Sequence, residues 1–417
     1  LFRSLDPTSE LSGKFEGSYG KLGERKLAGY ISAPLSDKVG FMAAGAYRDS
    51  HGWIPLSVPG FPNQFKGHAN PQKQRSFRFK LKAELSDTLT ATAAYNYGFT
   101  SDTSGNLFTP YQLRSPAVAG PNIACCFGTA SGNGKNIAAG KTNQVSLTVV
   151  WETGIGTLTS RTAADKRKIQ NDFDFDGSYN QLTFSEGLPR FKSFQESLDY
   201  NITSIDNVDL VIGAFYFEEK TRLQNTSFSF PGGVRTSSFT NYRQLKTDAY
   251  AIYADATYHL TDKLAIGVGG RYSHDKKTQG FQSVNNVPTA SFTVPSSDLK
   301  SSKFTPRATI RYEVADRSNV YATYSKGFRE ASFNAAGSAT STNFDPVTRP
   351  IKAETIDSFE VGFKTARRMF RAEISAFYYD YKNLNTSLTV PNPLNPLAPT
   401  TIVGNRSEEH TSELQSH

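Results

Sequence analysis

The sequence predicts an all-β protein, and more specifically an antiparallel transmembrane β-barrel. No apolar run approaches the roughly 20 residues that a spanning helix needs, and the longest, at 208–217, is about half that length. Many segments alternate apolar and polar residues with the period of two that is typical of a strand. Short turns and long polar connections also alternate along the chain, which is the pattern of a membrane barrel.

The short turns occur at seven places and are rich in Asp, Ser, Gly and Asn, residues that form tight turns. They lie at 33–38, 85–88, 153–156, 204–207, 260–263, 314–318 and 365–368. Long polar connections are predicted between them, at 51–72, 100–142, 171–189, 223–241, 275–301, 331–350 and 386–405. Seven hairpins of this kind predict about 14 strands.

The segments between the turns have one apolar and one polar face. In 74–85 and 248–260 the apolar positions are Phe77, Phe79, Leu81, Ala83 and Leu85, and Tyr250, Ile252, Ala254, Ala256, Tyr258 and Leu260. A soluble β-sandwich would alternate in the same way. However, strands of about 11–15 residues exceed the usual length of about 5–6. The series of charged residues on the polar faces also suits a water-filled lumen, so the membrane barrel is favoured.

Composition excludes several classes of protein. The 417 residues carry a formal charge of +8, but Lys and Arg are spread along the chain, which argues against a nucleic-acid surface. The two cysteines, Cys125 and Cys126, are too few for a metal site and fit either a vicinal disulfide or two free thiols. Six scattered histidines form no catalytic constellation, so we expect neither an enzyme nor a bound cofactor.

Two short motifs suggest ligands. Asp172, Asp174 and Asp176 begin a calcium-loop pattern, D-x-D-x-D-G, but Thr183 occupies the twelfth position, where a bidentate Glu belongs. The alternative is a strand end whose aspartates face water. Residues 134–142 approximate a phosphate-binding loop, but five residues separate the glycines where four are required, so we reject that interpretation.

Substrate contacts are expected on the lumen-facing wall and the outer loops near the long-connection rim. The candidate residues are Arg271, His274, Arg329, Glu330 and Asn334. Basic groups there would suit an anionic iron chelate. Ordinary polarity of a wet wall is the alternative for each of them.

Several segments resemble the TonB-dependent outer-membrane receptors. The most specific are YATYSKGFREASFN at 321–334, KAETIDSFEVGFK at 352–364 and RAEISAFYYDYK at 371–382. Residues 254–264, 270–276 and 29–38 fit the middle and the beginning of the same barrel. The resemblance implies a bacterial outer-membrane barrel of 22 strands with an N-terminal plug and a short box that contacts TonB. It further implies that about 14 of those strands are present here and that the plug is missing.

The resemblance divides the chain into three parts. Residues 1–23 would be the end of the plug or a lead-in, 24–405 an incomplete barrel, and 406–417 foreign sequence similar to a translated sequencing adapter. We therefore expect an open sheet with a dangling tail.

The implied function is TonB-dependent uptake of a scarce bulky nutrient by a monomer. A ferric siderophore is the leading substrate, with vitamin B12, haem or a saccharide as alternatives. The expected partners are the TonB complex, outer-membrane lipid and lipopolysaccharide. A passive general porin is the rival interpretation, since it shares the barrel.

Overall fold

The computed structural model describes residues 6–58, 61–69, 71–102, 137–174, 183–229, 234, 236–285, 291–333, 350–367, 370–392, 395–406 and 411–416. Cys125, Cys126 and the start of the 134–142 motif lie outside these residues. The described residues form strands almost throughout, apart from one 3-10 turn at Lys21–Gly23. No helix among them is both long and apolar enough to cross a bilayer.

The strands are numbered in chain order. The first twelve are β1 (Ser12–Tyr19), β2 (Arg25–Ser36), β3 (Val39–Ser50), β4 (Ile54–Val58), β5 (Phe61–Ala69), β6 (Gln72–Ser86), β7 (Leu89–Asp102), β8 (Ile137–Thr153), β9 (Gly156–Asp174), β10 (Thr183–Gly187), β11 (Arg190–Ile202) and β12 (Val208–Ser229). The others are β13 (Thr236–Thr261), β14 (Leu264–Asn285), β15 (Phe292–Ala315), β16 (Ser318–Arg329), β17 (Ser332–Phe333), β18 (Pro350–Ile351), β19 (Glu354–Arg367), β20 (Phe370–Lys382), β21 (Leu384–Asn392), β22 (Asn395–Arg406) and β23 (Thr411–Ser416).

One antiparallel sheet of 17 strands contains most of the chain, and its neighbours follow the chain order. All seven predicted turns join adjacent strands of this sheet, so the seven predicted hairpins are confirmed, and the 14 strands that they connect are among the 17 of the sheet. β10 and β11 together fill one position between β9 and β12, where Leu188 and Pro189 interrupt the strand. Within the described residues, β1 pairs with β2 alone and β23 with β20 alone.

Side-chain chemistry explains the tight turns. The Thr261 hydroxyl accepts hydrogen bonds from the backbone N–H groups of Lys263 and Leu264, at 3.2 and 3.0 Å. Asn207 adopts a φ of 59°, a left-handed conformation that Asn tolerates better than most residues. Gly156 has a φ of 157°, where a side chain would be strained. The turn residues in the sequence therefore fix where each hairpin reverses.

The predicted alternation gives the sheet one exposed apolar face, which we call the apolar face. Cross-strand pairs such as Phe79–Tyr95 and Ile252–Tyr272 confirm that the predicted apolar positions share this side. Its exposed side chains include Phe77, Phe79, Val145, Leu147, Phe194, Leu198, Ile212, Tyr250, Ile252, Val268, Tyr272, Phe304, Ile310, Val361 and Ile374. An apolar surface this extensive requires an apolar surrounding. The opposite side, the charged face, carries most of the ion pairs described below.

The long connections are shorter than predicted because the strands continue beyond the alternating segments. β12, β13, β14 and β15 contain 22, 26, 22 and 24 residues and include most of the predicted connections at 223–241 and 275–301. The strand pair β4–β5 lies within the predicted connection at 51–72, and β17–β18 and β21–β22 coincide to within two residues with those at 331–350 and 386–405. The reason is that backbone ladders need no apolar alternation once both faces are polar.

The tail also differs from expectation. β23 pairs antiparallel with β20, from Ile374–Ser416 to Tyr379–Thr411, so the tail does not dangle. The edge of β20 presents a row of N–H and C=O groups, and any short extended segment can pair with it through its backbone alone.

Candidate ligand-binding wall

A wall of arginines and aromatic rings lies on the charged face of β9 and β11–β14. Alternation places odd-numbered positions of these strands on one side, and register brings them together, with Gly213 opposite Tyr253 and Tyr253 opposite Arg271. The members of this arginine–aromatic wall are Arg167, Phe191, Phe215, Phe217, Arg243, Tyr253, Arg271 and Phe281.

Arg271 lies at the centre of the wall. Its guanidinium carbon is 5.4 Å from the Phe215 ring centroid and 5.3 Å from that of Tyr253, so it contacts two rings at once. Its Nε donates a hydrogen bond to Ser273 at 3.1 Å. Held in this way, the guanidinium has few conformations to lose when it binds a ligand.

Tyr253 is fixed from two directions. Its hydroxyl donates a hydrogen bond to Asp199, which also accepts one from Arg161 at 2.7 Å. Its ring lies over Gly213, where a Cβ would come within 3.0 Å of the ring atoms. The absence of a side chain at Gly213 therefore lets the ring lie flat against the sheet beside Arg271.

The other arginines of the wall also contact rings. Arg167 lies 4.8 Å from the Phe191 ring centroid, between Asp165 at 3.5 Å and Glu219 at 3.6 Å. Arg243 is buried, 5.5 Å from the centroid of Phe281. A surface that offers both guanidinium groups and rings can bind planar anionic groups by charge and by stacking.

A cluster of Asp275, Lys277 and Glu330 lies next to the wall, with Asp275 and Lys277 on the same face of β14 as Arg271. Lys277 forms an ion pair with Glu330 at 2.9 Å. Burial favours the neutral form of Glu330, but the hydrogen bond and charge of Lys277 outweigh it and hold the pKa of this carboxyl below its ordinary value. Burial raises the pKa of Asp275, and the nearby charge of Glu330 raises it further. One of the two acids is therefore paired and the other is poorly compensated.

The sequence-derived candidates separate into distinct places. Arg271 joins the wall and Glu330 joins the adjacent cluster, whereas Arg329 is exposed opposite Glu354. His274 lies on the apolar face, stacked on Tyr250 with ring centroids 5.0 Å apart and 2.7 Å from the Ser302 hydroxyl. The expectation that His274 faces the lumen with Arg271 is therefore corrected, because three positions along a strand reverse the side. Asn334 lies outside the described residues.

The calcium motif is only partly described. Asp172 and Asp174 end β9, and Asp172 is buried and accepts a hydrogen bond from Gln170 at 2.7 Å. Asp176 lies outside the described residues. Among the residues that the structure does describe, no group of three His, Cys, Asp or Glu side chains is placed to hold a metal ion.

Arg167, Phe215 and Tyr253 were not among the candidates from the sequence. Tyr253 lies between the predicted apolar positions Ile252 and Ala254, so its place on the polar face could have been read from the alternation. The register that brings Phe215 and Tyr253 to Arg271 depends on pairing across strands, and a single-strand pattern does not contain it.

Comparisons with known proteins agree with this fold. A family model described as "TonB dependent receptor-like, beta-barrel" matches residues 45–411. The pesticin receptor of Yersinia enterocolitica is 28% identical over 178 residues, which is 42% of this chain and 24% of that receptor.

Two solved structures share the fold. The ferric yersiniabactin uptake receptor of Yersinia pestis has a TM-score of 0.76 at 16% identity, over 92% of this chain and 56% of that one. The siderophore receptor PiuA of Acinetobacter baumannii has a TM-score of 0.69 at 12% identity, over 94% and 60%. The chain thus spans little more than half the length of these structures.

Proposed function

This chain belongs to the TonB-dependent receptor-like β-barrel family, and from that membership we propose that it forms part of a transporter that takes up a ferric siderophore, driven by TonB. The barrel lies in the bacterial outer membrane. Its apolar face contacts lipid, and its charged face lines a wet lumen. Energy coupling is proposed because a barrel that binds its cargo tightly needs work to release it.

The arginine–aromatic wall supports the choice of substrate. Ferric iron is chelated by anionic oxygen donors such as phenolates and carboxylates. A phenolate chelate therefore combines negative charge with an aromatic ring of its own. Arg271 between Phe215 and Tyr253 offers the complementary pair of a guanidinium and stacking surfaces. Proteins that share the fold include a ferric yersiniabactin uptake receptor and a ferripyoverdine receptor. The position of Arg271 between two rings is the observation that favours an anionic aromatic chelate as the substrate.

Gene deletion under iron limitation tests this function. We expect the deletion strain to lose growth on, and uptake of, one class of ferric siderophore, and complementation to restore both. If the deletion strain instead loses uptake of vitamin B12, haem or a saccharide, the choice of substrate is overturned. Unchanged uptake of all of them would contradict the transport proposal as a whole.

A further inference from the structure

A shallow trough runs along the charged face of β13 and β14, from Arg271 at one end to Asp275 at the other. Its floor consists of three small residues, Ala249, Ala251 and Ser273, of which Ala251 and Ser273 are buried. Arg271 and Asp275 are four residues apart on one face of β14, so their Cα atoms are about 13 Å apart. We call this feature the trough.

Aromatic rings form one side of the trough. Phe215 pairs with Ala251 and Phe217 pairs with Ala249, so both rings stand beside the floor. The two rings are nearly parallel, with an angle of 9° between their planes and 6.5 Å between their centroids. They offer a flat apolar surface against which an aromatic group of a ligand can pack.

The lower end of the trough is cationic. Arg271 is held there between the rings of Phe215 and Tyr253. Lys303 of β15 lies opposite Ser273, and in the part of the chain that the structure describes it forms no ion pair. Two cations beside parallel rings suit the anionic iron-binding groups of an aromatic chelate.

The upper end of the trough has a carboxylate that lacks a counterion. Asp275 is partly buried between Ala249 and Ser301, and among the described residues it forms neither an ion pair nor a side-chain hydrogen bond. The next cation on this face, Lys277, contacts Glu330 at 2.9 Å instead. Burial, and then the charge of Glu330, raise the pKa of Asp275 above its ordinary value. The charged form of Asp275 is therefore poorly stabilised by the chain itself.

Asp275 lies at the outer end of the lumen. It is eleven residues from Leu264 at the short-turn end of β14, about 36 Å along the strand and about 28 Å along the membrane normal for a tilt of about 40°. Arg271 is about 18 Å from the same end along the normal, so a ligand that enters from outside reaches Asp275 first. A perturbed carboxyl at the mouth of a binding surface is typical of a functional group.

We propose that the trough binds a ferric chelate that has a protonated amine in addition to its anionic aromatic iron-binding groups. The amine donates charged hydrogen bonds to Asp275 and supplies the counterion that this carboxylate lacks. The iron-binding groups lie at the other end, beside Arg271, Lys303 and the parallel rings. Asp275 is then a residue that determines specificity. This inference rests on the proposed function and narrows the substrate to chelates that carry charges of both signs.

Binding titrations of the purified full-length protein in uncharged detergent test the proposal. The probes are two ferric complexes of one phenolate chelator with a terminal amine, which is free in the first complex and acetylated in the second. Acetylation removes the positive charge and leaves the iron-binding groups unchanged. The variants are Asp275→Asn and Arg271→Gln. The matched control is Asp298→Asn, which removes a carboxyl that contacts Lys276 on the opposite face of the sheet.

Wild type should bind the free-amine complex about tenfold more tightly than the acetylated one. Asp275→Asn should bind the two complexes equally, because it loses affinity for the free amine alone, whereas Asp298→Asn should keep the preference. Arg271→Gln should weaken both complexes by the same factor and also keep the preference. Equal affinities in wild type, or a preference that survives Asp275→Asn, would overturn the proposal. A preference abolished by Mg²⁺ at constant ionic strength would show that Asp275 binds a simple cation, and would overturn it too.

Thermal unfolding separates binding from a structural role. Asp275→Asn should be at least as stable as wild type, because it removes a poorly stabilised charge. If Asp275→Asn unfolds at a lower temperature, the carboxylate supports the fold and the proposal is contradicted.

Uptake by cells separates this inference from the proposed function. TonB-dependent import of both complexes at equal rates would leave the transport function standing and refute the role of the amine. If cells with and without the gene import neither complex nor any other ferric siderophore, the proposed function fails, and this inference fails with it.

Discussion

Replacing Gly213 by alanine should displace the Tyr253 ring and weaken the wall around Arg271. An added Cβ would lie within 3.0 Å of the ring, and because β12 and β13 are paired throughout, the backbone has little freedom to yield. Moving the ring breaks the hydrogen bond to Asp199, which costs about 1.5–3 kcal/mol for a charged acceptor. It also removes one of the two rings on Arg271, about 0.5–1 kcal/mol more. Gly213→Ala should therefore lower the free energy of unfolding by about 2–4 kcal/mol.

Urea unfolding of the purified protein in lipid vesicles measures this loss. The matched control is Gly98→Ala, another strand glycine, where a Cβ would meet no atom within 4 Å. That change should be neutral or stabilise the protein by up to about 1 kcal/mol. In a Tyr253→Ala background, Gly213→Ala should cost little more, because the ring and its contacts are already absent. If Gly213→Ala and Gly98→Ala unfold at the same urea concentration, the reasoning about the ring is refuted.

Three further substitutions test other parts of the structure. Arg271→Gln should weaken binding of an anionic ferric chelate about tenfold, measured by titration, while His274→Gln, on the opposite face, should have no effect; equal losses would contradict the assignment of faces. Asp275→Asn should raise the unfolding midpoint at pH 7, because the raised pKa of Asp275 means that its charged form costs stability above that pKa. The gain should be lost as the pH falls below about 4, the ordinary pKa of Asp, because the carboxyl is then protonated in both the folded and the unfolded protein; a pH-independent gain would exclude this cause. Gly156→Ala should lower the stability of the protein by about 1–3 kcal/mol in thermal unfolding, because φ is 157° and a Cβ would approach the Asn201 carbonyl. Gly154→Ala, where a Cβ would meet no atom within 4 Å, is the control and should have no such cost. Equal stability of the two variants would refute the strain at Gly156.

The sequence predicted the hairpins correctly because turns and alternation are local. Asn207 and Thr261 determine their turns through their own conformation or side-chain hydrogen bonds, which need no distant partner. The faces of β6, β7, β13 and β14 follow from a period of two, which continues as long as membrane on one side and water on the other constrain the strand.

The alternation of apolar and polar residues does not predict strands in the part of the barrel outside the membrane. The extra length of β12–β15 lies where both faces are polar, so the sequence suggested long loops where the backbone continues its ladder. His274 illustrates a related failure, because its polarity suggested a lumenal side chain although its position is even-numbered, like that of Tyr272. Of the candidate residues, Arg271 lies in the arginine–aromatic wall and Glu330 beside it, and their contact with substrate stays a prediction. The rings around Arg271 are brought to it by cross-strand register, which a single sequence does not determine.

We propose that this barrel belongs to a receptor that imports a ferric chelate with energy from TonB. The most direct test is the rate of uptake of radiolabelled ferric siderophore by cells that carry the gene, with and without TonB, over a range of concentrations. We expect saturable uptake that is lost when TonB is removed. Uptake that rises linearly with concentration and is unchanged without TonB would show a passive pore and contradict it.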